Sequence, residues 1–205
     1  MSNSSLIRWG GLSLLVAGMA NAIFWLLVIQ IGTFAGAAAS LDPLWVPSQL
    51  LHTLAATLAL LGLVGLYLCL GDQNWWLELT GFALALFGTG FYLADAILAL
   101  VVFPIAATNA PSLIAADGAL NMSPAYTVFA VTFMIGYILF GIVLLRVSAL
   151  PRAASLLLIV GAILANLPPG LVPMMILIAG GVLWGIGAAW LGYALWSGKE
   201  QGDAK

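Results

Sequence analysis

Residues 9–31 read WGGLSLLVAGMANAIFWLLVIQI. No charge interrupts this stretch, and apolar positions do not alternate with polar ones. A membrane-spanning helix needs about 20 consecutive apolar residues, and a spanning strand needs only about ten. In hydrocarbon every backbone polar group must be satisfied within the protein, so the choice is helix or closed barrel. A barrel strand would also alternate. Length and pattern both select a helix.

The same reading extends outward along the chain. No charged residue lies between Arg8 and Asp42, between Asp42 and Asp72, or between Asp117 and Arg146. The stretch from Arg152 to Lys199 is also uncharged, but it is too long for one span, and Leu167-Pro168-Pro169-Gly170 divides it. Proline lacks the amide hydrogen and glycine relaxes the backbone, so this tetrapeptide ends a helix. The expected fold is an all-α polytopic membrane bundle of about six helices, over residues 7–31, 48–70, 76–103, 124–146, 151–167 and 172–197. One transmembrane domain then covers residues 1–198, with a short tail over 199–205.

Composition agrees. Hydrophobic residues make up 64% of the 205, and charged residues 6%. Soluble domains carry about 25% charged residues, so five Lys/Arg and seven Asp/Glu cannot cover a water-soluble surface of this size. Lipid is therefore the main partner of the outer surface. Nothing forms the basic stripe of a nucleic-acid binder. Ala20-Asn21-Ala22 has the small-x-small form of a signal-peptide cleavage site. The apolar run continues well past it, which predicts an uncleaved first span.

Six spans place Arg8, the Arg146–Arg152 loop and the Lys199/Lys205 tail on one side, and leave the loops of the other side without Lys or Arg. The positive-inside rule then predicts cytoplasmic termini. Trp9, Trp75, Trp76 and Trp196 fall near the predicted inner interface and Trp45 near the outer one, as in an aromatic belt.

Small residues let membrane helices approach closely. Gly32-x-x-x-Gly36 and Gly181-x-x-x-Gly185 have the spacing for it, and Gly185, Ala188, Ala189 and Gly192 extend the second stripe. These faces predict contacts within the chain first, and a homo-oligomer or partner seam second. Gly81, Gly88 and Asp95 recur every seven residues and share one helix face.

Asp95 is the sharpest polar feature, because an ionisable residue inside a span marks function by default. His52 and Asn21 also fall inside spans, and Tyr92, Tyr126 and Trp45 offer an aromatic lining. Together these six form the expected ligand-binding set, on the half of the membrane away from the termini. Asp95 and His52 are expected to act as a coupled pair. The competing reading makes Asp95 a structural pin near Pro104 and His52 a packing residue.

Several chemistries are excluded. No lysine lies in a span, so a Schiff-base chromophore has no attachment point. One His and one Cys do not make a bis-histidine haem or an ordinary structural zinc site. No Gly-x-Ser-x-Gly, phosphate-binding loop or dinucleotide fingerprint occurs. No catalytic set, metal site or cofactor is assigned. Ser48, four residues before His52, leaves only a pigment-ligating histidine as a remote cofactor reading.

Asp42-Pro43-Leu44-Trp45-Val46-Pro47, Leu150-Pro151-Arg152 and Trp190-Leu191-Gly192-Tyr193-Ala194-Leu195-Trp196 resemble segments of small, uncharacterised bacterial multi-pass proteins. The resemblance implies a bacterial inner membrane and assigns no activity. Two functional expectations follow from the residues. One is binding or transport of a small, mostly apolar molecule from the extracytoplasmic side. The other is a non-catalytic accessory subunit of a larger membrane complex.

Overall fold

A computed structural model of the chain describes residues 3–32, 36–70, 75–114, 124–168 and 171–198. Asp72, Asp117, Asn121, Pro169, Gly170 and the 199–205 tail lie outside the described residues. The helices are α1 (Asn3–Ile31), α2 (Ala37–Ser40), α3 (Trp45–Leu68), α4 (Trp75–Asn109), α5 (Pro124–Leu144), α6 (Arg152–Ala165) and α7 (Met174–Ser197). A single 3-10 turn, Pro111–Ile114, follows α4.

Five of these helices, α1, α3, α4, α5 and α7, are long and apolar enough to cross a bilayer. The chain is an all-α, multi-pass integral membrane protein. α6 has 14 residues, about 21 Å of helix, which is short of the hydrocarbon thickness of about 30 Å. α1 runs unbroken through Ala20–Ala22.

Glycine contacts give the topology. Gly11 lies against Gly192 and Leu195, Gly18 against Gly185 and Ala189, and Gly181 against Trp25, so α1 and α7 are antiparallel. Gly10 meets Gly65, Leu14 meets Gly62, and Phe24 stacks on His52, so α3 descends along the other flank of α1. Tyr67 stacks on Phe82 while Trp45 reaches Ala99, which sets α4 antiparallel to α3. Gly81 faces Phe140 and Gly88 faces Phe133 across α4–α5. Gly141 abuts Ile159 on α6, and Gly161 and Gly187 close α6 onto α7. Each of the six long elements thus packs on two neighbours, in the closed order α1–α3–α4–α5–α6–α7. Directions alternate around this ring, so the start of α1 and the end of α7 lie at one end of the bundle, called here the end of the termini.

Two expectations about glycine and tryptophan change. Gly32 and Gly36 lie outside the long helices with φ of 82° and 94°, so they end α1 and open α2 rather than forming a helix face. Glycine alone tolerates that backbone without a Cβ clash. Trp9, Trp76 and Trp196 are exposed at the end carrying the termini, as an interfacial belt requires, but Trp45 is only 1% exposed and belongs to the interior.

α4 also continues six residues beyond its expected end, through Pro104. Tertiary burial outweighs the lost hydrogen bond. Ala99, Phe103, Ala106 and Ala107 form a second core with Trp45, Ala39 and Ile114, and that core holds the last turns of α4.

Candidate functional site

The interior of the ring is apolar and tightly packed toward the termini, around Leu14, Leu63, Phe140 and Leu191. Toward the other end it opens into an axial cavity. All six ring helices contribute to its wall: Asn21 and Trp25 from α1, His52, Ala55, Ala56 and Ala59 from α3, and Thr89 and Tyr92 from α4. Phe133 from α5, Ala165 from α6, and Gly181 and Trp184 from α7 complete it. The space open to the centre of a water-sized sphere is about 30 Å3, and about 10–15 Å3 admits one water. Small residues on α3, α6 and α7 leave this room, and the rings of Trp25, Tyr92 and Trp184 close it.

Each polar group at the wall is held differently. Asn21 Nδ2 donates to the Gly181 carbonyl at 2.8 Å, tying α1 to α7. Tyr92 donates to Asn166 Oδ1 at 2.8 Å, and Asn166 Nδ2 in turn donates to the Ala162 carbonyl at 2.8 Å. Thr89 and Tyr137 share a 2.9 Å hydrogen bond just below. His52 is buried, with its imidazole stacked on Phe24 at 4.2 Å and edge-on to Tyr92 at 5.9 Å. It makes no side-chain hydrogen bond among the described residues. Phe24 covers one face of the imidazole.

Trp184 Nε1, Gln49 Oε1 and Ser155 Oγ are buried with no hydrogen-bond partner among the described residues. A buried polar atom without a partner costs about 1–3 kcal/mol. Native folds keep few such atoms, and those they keep call for a water, a ligand or a functional reason. Trp184 lines the axial cavity itself.

A second, smaller pocket lies in the cleft between α4 and α5, lined by Phe91, Tyr92, Asp95, Tyr126, Phe129 and Ala130. Its geometry follows from the seam. Gly81 opposes Phe140, Gly88 opposes Phe133, and seven residues further on each helix Asp95 lies beside Tyr126. Phe91 stacks on Phe129 at 4.1 Å within the same pocket. Tyr126 is 39% exposed, so the pocket lies near the bundle surface.

The expected site residues therefore divide. Asn21, His52 and Tyr92 meet at the axial cavity; Tyr92, Asp95 and Tyr126 meet at the α4–α5 pocket. Tyr92 lies between the two. His52 and Asp95 form no hydrogen bond or ion pair with each other among the described residues. Trp45 lines neither cavity, and its indole donates to the Ala99 carbonyl at 2.8 Å. Sequence reasoning did not single out Trp184, Thr89, Gln49, Phe91 or Phe129. Gln49 was legible, three residues before His52 and on the same helix face. Trp184 was hidden inside a glycine stripe read only as packing.

No group of three or more metal-ligating side chains occurs among the described residues. No protein-family model, curated protein or solved structure matches this chain.

Proposed function

We propose that this protein binds a small, mostly apolar molecule in its axial cavity, as a carrier or receptor, with entry from the end away from its termini. The observation that carries the reading is a cavity walled by every helix of the ring and lined by Trp184, whose buried indole N–H has no hydrogen-bond partner among the described residues. Ligand sites are mostly apolar, with a few placed polar groups that fix orientation. Here Trp25, Phe133 and the α3 alanines supply the apolar wall, while Trp184, His52 and Asn21 supply the polar points. The resting space is water-sized, so a ligand enters by displacing water and turning the rings of Trp25, Tyr92 and Trp184.

The distribution of Lys and Arg supports cytoplasmic termini, which makes the cavity extracytoplasmic. Residence in a bacterial inner membrane rests on the resemblance of the Asp42–Pro47 and Trp190–Trp196 segments. The Gly181–Gly192 stripe is occupied by neighbouring helices of the same chain, and we carry the binding reading forward.

The test is purification from native membranes in mild detergent, followed by native mass spectrometry of wild type and Trp184→Phe. A molecule released from wild type and depleted in Trp184→Phe supports the proposal. Equal retention by both removes Trp184 from the site. A wild-type protein that carries no molecule beyond lipid and detergent contradicts the proposal.

A further inference from the structure

Among the described residues, no charged partner balances Asp95. It lies in the outer part of α4, in a protein whose surface is lipid-facing, and it makes no hydrogen bond or ion pair among the described residues. A carboxylate at such a position ordinarily pairs with another group or faces a pathway. The basic residues are Arg8, Arg146, Arg152, Lys199 and Lys205. The three arginines lie at the opposite end of the bundle, and the two lysines are outside the described residues. His52 faces the axial cavity on the other side of Tyr92. Among the described residues, the only other titratable groups at the pocket are the phenols of Tyr92 and Tyr126. Among the described residues, no cation faces Asp95.

What does face it is aromatic. Phe91, Tyr92, Tyr126 and Phe129 supply four rings around one carboxylate. Aromatic faces attract cations through their quadrupole, most strongly where water is excluded. The space open to water-sized sphere centres is about 10 Å3, close to the room of one water. A primary ammonium group is about that size, whereas a trimethylammonium group is several times larger.

We propose that the Asp95 pocket between α4 and α5 is a binding site for a primary ammonium group, held by the carboxylate and the surrounding rings. The proposal stands independently of the axial cavity. The amine can be free or belong to a phospholipid headgroup, since the pocket lies near the bundle surface.

The experiment titrates n-butylammonium and tetramethylammonium against the purified full-length protein in phosphatidylcholine nanodiscs, followed by calorimetry. Wild type is expected to bind n-butylammonium saturably and tetramethylammonium at least about tenfold more weakly. Asp95→Asn is expected to lose about tenfold or more in n-butylammonium affinity, the scale of one charge-assisted contact. Ala130→Leu keeps the carboxylate but fills the pocket, and is expected to lose binding as well. That variant decides the matter if Asp95→Asn does not fold.

Nanodiscs containing phosphatidylethanolamine distinguish the source. Weaker apparent n-butylammonium binding there identifies the lipid headgroup as the natural occupant, and unchanged binding identifies a free amine. The proposal is overturned if wild type shows no saturable n-butylammonium binding, if tetramethylammonium binds more tightly, or if Ala130→Leu binds like wild type.

Discussion

The α1–α7 seam and the α4–α5 seam begin alike and end differently. Along α1–α7, small residues meet at Gly11 with Gly192 and at Gly18 with Gly185, and the stripe continues to Gly181. Along α4–α5, Gly81 and Gly88 receive Phe140 and Phe133, and then the stripe stops. At the next seven-residue step Asp95 stands where another glycine would continue the contact, beside Tyr126, with Phe91 and Phe129 filling the approach. The lesson is that glycine lets backbones meet and leaves no space, whereas rings hold helices apart. The α4–α5 pocket lies where the glycines of that seam run out.

That contrast breaks most sharply at the tight seam. Gly18→Leu would drive a side chain into the Gly185 carbonyl and the Ala189 backbone. Overpacking of this kind costs about 1–3 kcal/mol and sometimes more, and here backbone rather than a flexible side chain must yield. The expected outcome is little or no monodisperse protein by size-exclusion chromatography in detergent. A well-folded Gly18→Leu protein would show that the helices do not meet as described.

Asp95→Ala tests the other seam in the opposite direction. If Asp95 serves binding and pins nothing, removing it stabilises the fold. Insertion scales set the cost of a central carboxylate at about 2.5–3.5 kcal/mol, and a more superficial position recovers part of that. Reversible unfolding in bicelles is expected to show a gain of about 1–2 kcal/mol. A loss of stability would make Asp95 a structural pin.

Tyr137→Phe removes the hydroxyl that bonds Thr89 and is expected to cost about 0.6 kcal/mol, the average for a hydrogen bond between membrane helices. A much larger loss would place that pair in a wider network. No loss of stability is expected at Gly90, where an added Cβ meets nothing within 4 Å. Gly90→Ala should be neutral or stabilising by up to about 1 kcal/mol, through helix propensity alone. Destabilisation at Gly90 would mean that α4 has a neighbour on that face.

Much of the fold was legible because lipid leaves few options. Charge-free runs and the Pro-Pro break placed the long helices to within a few residues. Where the sequence misled, tertiary contacts decided. Pro104 suggested a helix end, but burial of Phe103, Ala106 and Ala107 against Trp45 carries α4 past it. Gly32 and Gly36 had packing-motif spacing and proved to be positive-φ connections. The candidate sites were legible only as depth. Counting residues from the helix ends put Asn21, His52, Tyr92, Asp95 and Tyr126 on one half of the bundle. It gave no rotation for neighbouring helices, so it did not show that Tyr92 separates His52 from Asp95. Trp45 failed as a cavity residue for the same reason, since depth alone does not distinguish the ring axis from the α3–α4 seam.

The central claim is an axial space that communicates with the end of the bundle away from the termini. Cysteine accessibility tests it most directly, because Cys69 is the only native cysteine and Cys69→Ser removes the background. In that protein, Ala55→Cys places a thiol on the cavity wall, and Leu63→Cys places one in the packed interior nearer the termini. Vesicles of both orientations are treated in chloride-free buffer with Ag+, a thiol-reactive ion close to water in size, and the thiols left unreacted are counted after solubilisation. The account predicts modification of Ala55→Cys only from the side opposite the termini, and no modification of Leu63→Cys from either side. Reaction of Ala55→Cys from the side of the termini, or equal inertness of both thiols, would contradict it.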